Sequence, residues 1–125
     1  MMIDQYRRGW ALRYLREAKA ELEAARKMPY MASTLILEAL RKTKNAIYYS
    51  LGEPAFIEMA VREALENIHG GSDPVLKCLA EIEGTLQRLA LQENVDGEKA
   101  IKQADNLIQL ASEIVETVIG EKAED

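Results

Sequence analysis

Arg62, Glu66 and His69 are the residues of this chain whose types and spacing could do chemistry together. At 100° per residue, seven positions return almost to the same side of a helix, so Arg62 and His69 share a face with Glu66 between them. An arginine holds a phosphate through its fork of donors, and an imidazole moves protons near neutral pH. Together they could cleave RNA without a metal by activating a 2′-hydroxyl. A purely structural reading fits the same residues. His69 precedes Gly70 at a helix end, where a partly cationic ring meets the last carbonyls, and Arg62 with Glu66 is a four-residue ion pair.

Counting removes the other chemistries. One histidine and one cysteine make no Cys/His zinc site, and no Ser-His-Asp or Cys-His arrangement stands out. Gly70 and Gly71 are too few for a phosphate loop and no Lys-Ser/Thr follows them. Glu66 and His69 have the Glu-x-x-His spacing of bundle di-iron sites, which need that motif twice. No cofactor and no metal is expected. Cys78 cannot form an internal disulfide and is expected as a small buried apolar residue.

The elements that must position these residues are helices. Over residues 4–28, Ala11, Leu15, Ala18, Leu22 and Ala25 recur at alternating four- and three-residue spacings, and Pro29 ends the run. Residues 30–51 carry a wider apolar face of Leu35, Ile36, Ala39, Leu40, Ala46, Ile47 and Leu51, which places this helix at the centre of the core. Gly52 is read as a left-handed terminator and Pro54 as the start of a third helix, residues 54–68, with Ile57, Val61, Ala64/Leu65 and Ile68 on its stripe. Ser72, Asp73 and Pro74 signal a fourth helix reaching residue 92, with Leu76, Leu79, Ile82, Leu86 and Leu89 inside. Asp96 caps a fifth, whose stripe is Ala100, Ala104, Leu107, Ala111, Ile114 and Val118. No strand pattern occurs. The expected fold is all-α: one domain over residues 1–125, an antiparallel up-and-down bundle of four to five helices.

At 125 residues, 48% apolar and 30% charged, the chain is globular in balance and sized for one core. No apolar run approaches the ~20 residues that span a bilayer, and residues 1–8 lack the basic-then-apolar order of a signal peptide, so the expectation is a cytoplasmic protein with no membrane partner. The net charge of −5 is divided unevenly. Residues 1–50 hold ten Lys/Arg against five acids, and residues 51–125 hold six against sixteen. Such a division guides an anionic partner or favours self-association in which unlike ends meet, unless the charges are simply solvated helix faces. The alanine stripes of the first and fifth helices fit close packing within the chain or a dimer seam. Trp10, Tyr14, Tyr30, Tyr48, Tyr49 and Phe56 are spaced like packing residues of core or edge.

The segment Tyr14-Leu15-Arg16-Glu17-Ala18-Lys19-Ala20-Glu21-Leu22-Glu23-Ala24-Ala25, followed by an Ala/Leu-rich helix ending Asn45-Ala46-Ile47-Tyr48-Tyr49-Ser50-Leu51-Gly52, resembles the HEPN domains of prokaryotes over roughly residues 10–70. The resemblance implies an antiparallel helical bundle, commonly dimeric, associated with nucleotidyltransferases or acting as a metal-independent RNase. Active members carry an Arg, a polar residue directly after it and, after four to six intervening residues, a His near the end of the third helix. Arg62, Glu63 and His69 match, with six residues intervening.

Three functions are therefore expected in order. The first is a self-associating module, a homodimer that docks a partner protein without chemistry of its own. The second is a metal-independent endoribonuclease in which Arg62 binds the scissile phosphate and His69 is acid or base, with Glu66 a lesser candidate. The third is RNA or nucleotide binding, through Arg7, Arg8, Arg13, Arg16 and Arg26 or as partner of a nucleotidyltransferase.

Overall fold

The computed structural model describes residues 5–67, 73–91 and 96–120. Within them the chain forms five α-helices and no strand: α1 (Gln5–Lys27), α2 (Ala32–Leu51), α3 (Pro54–Asn67), α4 (Pro74–Leu91) and α5 (Gly97–Ile119). Pro29–Met31 is a separate 3₁₀ turn, so the second helix begins at Ala32, two residues later than Tyr30. The cause is Pro29, which restricts the backbone of Met28 before it and starts a tight turn that α2 then leaves.

α1 and α2 lie antiparallel. Trp10 and Tyr14 meet Tyr49, while Glu17 and Glu21 meet Lys42, so residue numbers rise on one helix as they fall on the other. α5 starts at the turn between them, where Gly97 lies against Ala32, and its Asp105 reaches Arg26 of α1. α1, α2 and α5 thus form a three-helix core, with α4 against α2 and α5, and α3 against α2 and α4. The structure is an all-α bundle.

All five stripe residues of α1 are buried, as are Ile36, Ala39, Leu40, Ala46 and Ile47 of α2. The alanine stripe of α5, Ala100, Ala104 and Ala111, is shut inside the chain together with that of α1. Their small side chains serve packing between α1, α2 and α5, which removes both stripes as a dimer seam.

Several expectations on stripes and ends are corrected. Leu51 and Val118 are exposed; Ile108, Ser112, Val115 and Ile119 line the buried side of α5 instead. The buried side of α5 is broader than its alanine stripe because the helix meets α1, α2 and α4. Thr43, Ser50 and Thr85 are also buried, which their polarity hides in a pattern search. Each hydroxyl donates to a carbonyl of its own helix, Thr43 to Ala39 at 2.7 Å, Ser50 to Ile47 at 2.6 Å and Thr85 to Glu81 at 2.8 Å, so none enters the core unsatisfied. Gly52 is extended, at φ 166°, and not left-handed. Space favours glycine there: a Cβ would stand 3.0 Å from Ile57 Cδ1, which would have to shift.

The caps agree with the sequence. Asp73 Oδ1 accepts from the N–H of Val75 at 2.8 Å, and Asp96 Oδ1 from that of Lys99 at 3.3 Å. Gly120 closes α5 in the left-handed conformation, φ 70°. Cys78 is fully buried, and burial pushes its thiol up to about 11. Among the described residues, no helix is long and apolar enough to cross a membrane.

Candidate functional site

α3 carries the candidate site, and the way it is anchored determines what it presents. The Gly52 N–H donates to Tyr48 O at 3.1 Å and closes α2, and the short connection through Gly52 and Glu53 leads into α3, which packs back on α2. From there Val61 is buried and Ile57 packs against the core. These two positions lie on one side of the helix, so the remaining residues divide between two flanks.

One flank is polar. Glu58 and Arg62, one turn apart, line a cleft of about 390 Å³ with Lys44 and Tyr48 of α2 and Glu83 and Gln87 of α4. Arg62 Nη2 donates to Glu58 at 3.3 Å, and Lys44 Nζ donates to Glu83 at 2.9 Å. Arg62 therefore pairs with the glutamate one turn before it, and not with Glu66 one turn after it, because Glu58 faces the same cleft. Glu66 is exposed. Two cations and two carboxylates neutralise one another here. Burial pushes the Tyr48 phenol up to about 12, Glu83 and Glu58 adding to the effect and Arg62 opposing it. At neutral pH Tyr48 is thus a hydroxyl for hydrogen bonding, and not a base.

His69 lies outside the described residues, as do Ile68, Gly70, Gly71, Ser72 and residues 121–125. Of the expected triad the described structure places Arg62 in a cleft and Glu66 at the surface. Lys44, Glu58 and Glu83 carry no site signal in the sequence, and Tyr48 reads there as a packing aromatic. Glu58 with Arg62 was visible as a four-residue pair, but Lys44 with Glu83 joins positions 39 apart and leaves no local signal.

The other flank is apolar and uncovered. Phe56 is 74% exposed and Met59 67%, with Ala60 exposed beside them. Leu51 at the end of α2 is exposed as well. This corrects the reading of Phe56 as a packing residue; Tyr30, at 83% exposure, is corrected likewise. Ile57 and Val61 already turn the anchoring side of α3 inward, and a helix this near the surface has no second layer to cover its far side.

The aromatic residues that do pack gather at the start of α1. Trp10 stacks on Tyr49 with centroids 6.2 Å apart, Tyr14 stacks on Tyr49 at 5.6 Å, and Tyr6 meets Trp10 edge-on at 6.3 Å. The Arg13 guanidinium lies 4.9 Å over the Trp10 ring while Nε donates to Glu17 at 2.8 Å. At the opposite end of α1, Arg26 is held by Glu23 and, at 3.4 Å, by Asp105. The arginines expected to form a nucleic-acid stripe are thus spread along α1, and Arg13 and Arg26 are engaged by carboxylates.

Between α1 and α2 an ionic seam runs on from the aromatic one. Lys42 bridges Glu21 and Glu17, the latter at 3.1 Å. The hydrogen bond to Glu21 holds the Lys42 ammonium above its usual range, and those from Arg13 and Lys42 hold the Glu17 carboxyl below its own.

No protein-family model, no curated protein and no solved structure matches this chain.

Proposed function

We propose that this chain is a self-associating binding module, HEPN-like in its bundle, whose contact surface is the outer apolar flank of α3. The observation that carries the reading is the exposure of Phe56 and Met59 side by side on a helix otherwise anchored by Ile57 and Val61. A large aromatic ring and a long thioether left in water forfeit about 1.5–3 kcal/mol each of burial energy, which docking recovers. Single exposed apolar residues are ordinary; adjacent large ones rimmed by charge mark interaction sites. The alanine stripes are used inside the chain, whereas α3 sets two large apolar side chains one turn apart at its surface. The dimeric habit implied by the resemblance over residues 10–70 supports the same reading.

Sedimentation equilibrium over a wide concentration range tests it. The wild type is expected to associate reversibly, and Phe56→Asp and Met59→Asp to remain monomeric with unchanged helicity. A wild type that stays monomeric at high concentration and low salt removes the reading.

A second reading rests on the position of Arg62 at a cleft beside Lys44, where a phosphate could displace Glu58 and Glu83 from the two cations. In it the chain is a metal-independent endoribonuclease using Arg62 and His69, with Glu66 alongside. Cleavage of a mixed RNA pool in EDTA, abolished by both Arg62→Ala and His69→Ala in folded protein, supports it. No cleavage by the wild type discards it.

A further inference from the structure

A groove of about 550 Å³ runs between α1 and α5. Leu22 and Ile108, both sealed core residues, form part of its floor, and Arg16 and Lys19 stand along its α1 wall. Arg26, tied to Glu23 and Asp105, lines it as well. Its volume lies within the range of about 300–1,000 Å³ of surface pockets that take a sizeable ligand, so two side chains fit. Its lining holds three cations against two acids, a positive excess of one.

α3 presents the complementary surface. Phe56 and Met59 project from it, and Glu63 and Glu66 follow one to two turns later, all four exposed. Glu53, Glu58, Glu63 and Glu66 outnumber Arg62, so the α3 region is negative where the groove is positive. The charge spacing also matches: Arg16 and Lys19 are three residues apart, as are Glu63 and Glu66, a separation that sets side chains about 5–6 Å apart at their Cβ atoms along a helix. Within one chain the two surfaces belong to different helix pairs: α3 packs on α2 and α4, and the groove lies between α1 and α5.

Resting on the self-association reading, we propose that the groove receives α3 of a second copy: Phe56 and Met59 enter over Leu22 and Ile108, while Glu63 and Glu66 meet Arg16 and Lys19 at the rim. Knob and socket are different patches, so contact is head-to-tail or reciprocal about a two-fold axis. The division of charge between the two parts of the sequence then serves assembly: the basic part supplies the groove wall and the acidic part supplies the knob. Raised salt weakens the contact by screening its rim.

The experiment is a mixing test by analytical ultracentrifugation at low salt. One variant loses the knob (Phe56→Asp with Met59→Asp) and another loses the groove wall (Arg16→Glu with Lys19→Glu). All four positions are at the surface or half-buried, and helicity and thermal transitions control for folding. Each variant alone is expected to weaken association by about thirtyfold or more, the effect of removing interface anchors. Mixed, they are expected to form a one-to-one complex, since each retains the surface that the other needs. Glu63→Lys with Glu66→Lys is expected to restore binding to the groove-wall variant. If the wild type associates and the knob variant does not, yet the groove-wall variant associates normally, the groove assignment is overturned while self-association through α3 stands. If the two variants do not combine, the pairing of these surfaces is likewise overturned. A monomeric wild type removes both.

Discussion

In α1, Leu15 and Leu22 face α2 and α5 and are shut from water, whereas in α3 Phe56 and Met59 stand in it. The two helices also differ in how their charges are held. α1 has Arg13 stacked on Trp10 and paired with Glu17, and Lys42 reaches across from α2 to Glu17 and Glu21. α3 has Arg62 paired with Glu58 beside an open cleft. A helix whose apolar stripe is enclosed by its neighbours uses it for stability; one that turns Ile57 and Val61 inward and leaves Phe56 and Met59 outside keeps apolar surface available for docking. The contrast separates the part of the molecule that makes it fold from the part most suited to meet something else.

The largest effect that could break the contrast is a core truncation. Ile47→Ala or Leu40→Ala is expected to cost about 2–5 kcal/mol, by urea denaturation, because the three-helix core cannot collapse around the lost methylenes. Phe56→Ala, of equal or greater size change, is expected to leave monomer stability within about 0.5 kcal/mol. Comparable losses at both sites would mean that α3 contributes to the core as α1 and α2 do.

Alkaline pH is the next strongest probe. The phenol of Tyr48 and the thiol of Cys78 are raised from 10.0 to about 12 and from 9.0 to about 11, and the Lys42 ammonium is also raised, from 10.5. A group that holds its proton more tightly when folded adds stability below its unfolded pKa and loses it as pH climbs through the folded one. Stability is therefore expected to fall from about pH 9 toward pH 12, with Tyr48→Phe removing on the order of 2 kcal/mol of that fall. Glu17 has the opposite sign, its contribution being lost as pH falls below 4.5. Denaturation midpoints across this range, with tyrosinate absorbance followed in parallel, check both.

Lys42→Met should cost about 1 kcal/mol, since it leaves Glu21, whose Oε2 already lacks a partner, without its ammonium in a half-buried seam. Smallest of all is Arg62→Ala, expected to change stability by less than about 0.5 kcal/mol because its pair with Glu58 is exposed. Hydrogen exchange sharpens the comparison without mutation: amides of α3 are expected to exchange faster than those of α1, α2 and α5.

Much of the fold was legible because periodic apolar residues report the side of a helix that avoids water. Leu15, Leu22, Ile36, Leu40 and Ile47 were marked by spacing alone and are buried. Asp73, Asp96 and Pro54 marked helix starts because a side-chain oxygen or a missing N–H suits the first turn whatever surrounds it. The site was less legible. Arg62 was noticed for its chemistry, but its cleft depends on Lys44, Tyr48 and Glu83, which come from two other helices.

The sequence alone determined the all-α class and the inner face of α1, because hydrogen bonding and side-chain periodicity within a helix are local. Tertiary structure decided which apolar residues stay outside. Phe56 and Val118 carry the same hydrophobic signal as Val61 and Val115, and what distinguishes them is whether another helix lies opposite. Burial is a property of two surfaces, and the second surface comes from residues far away in the chain.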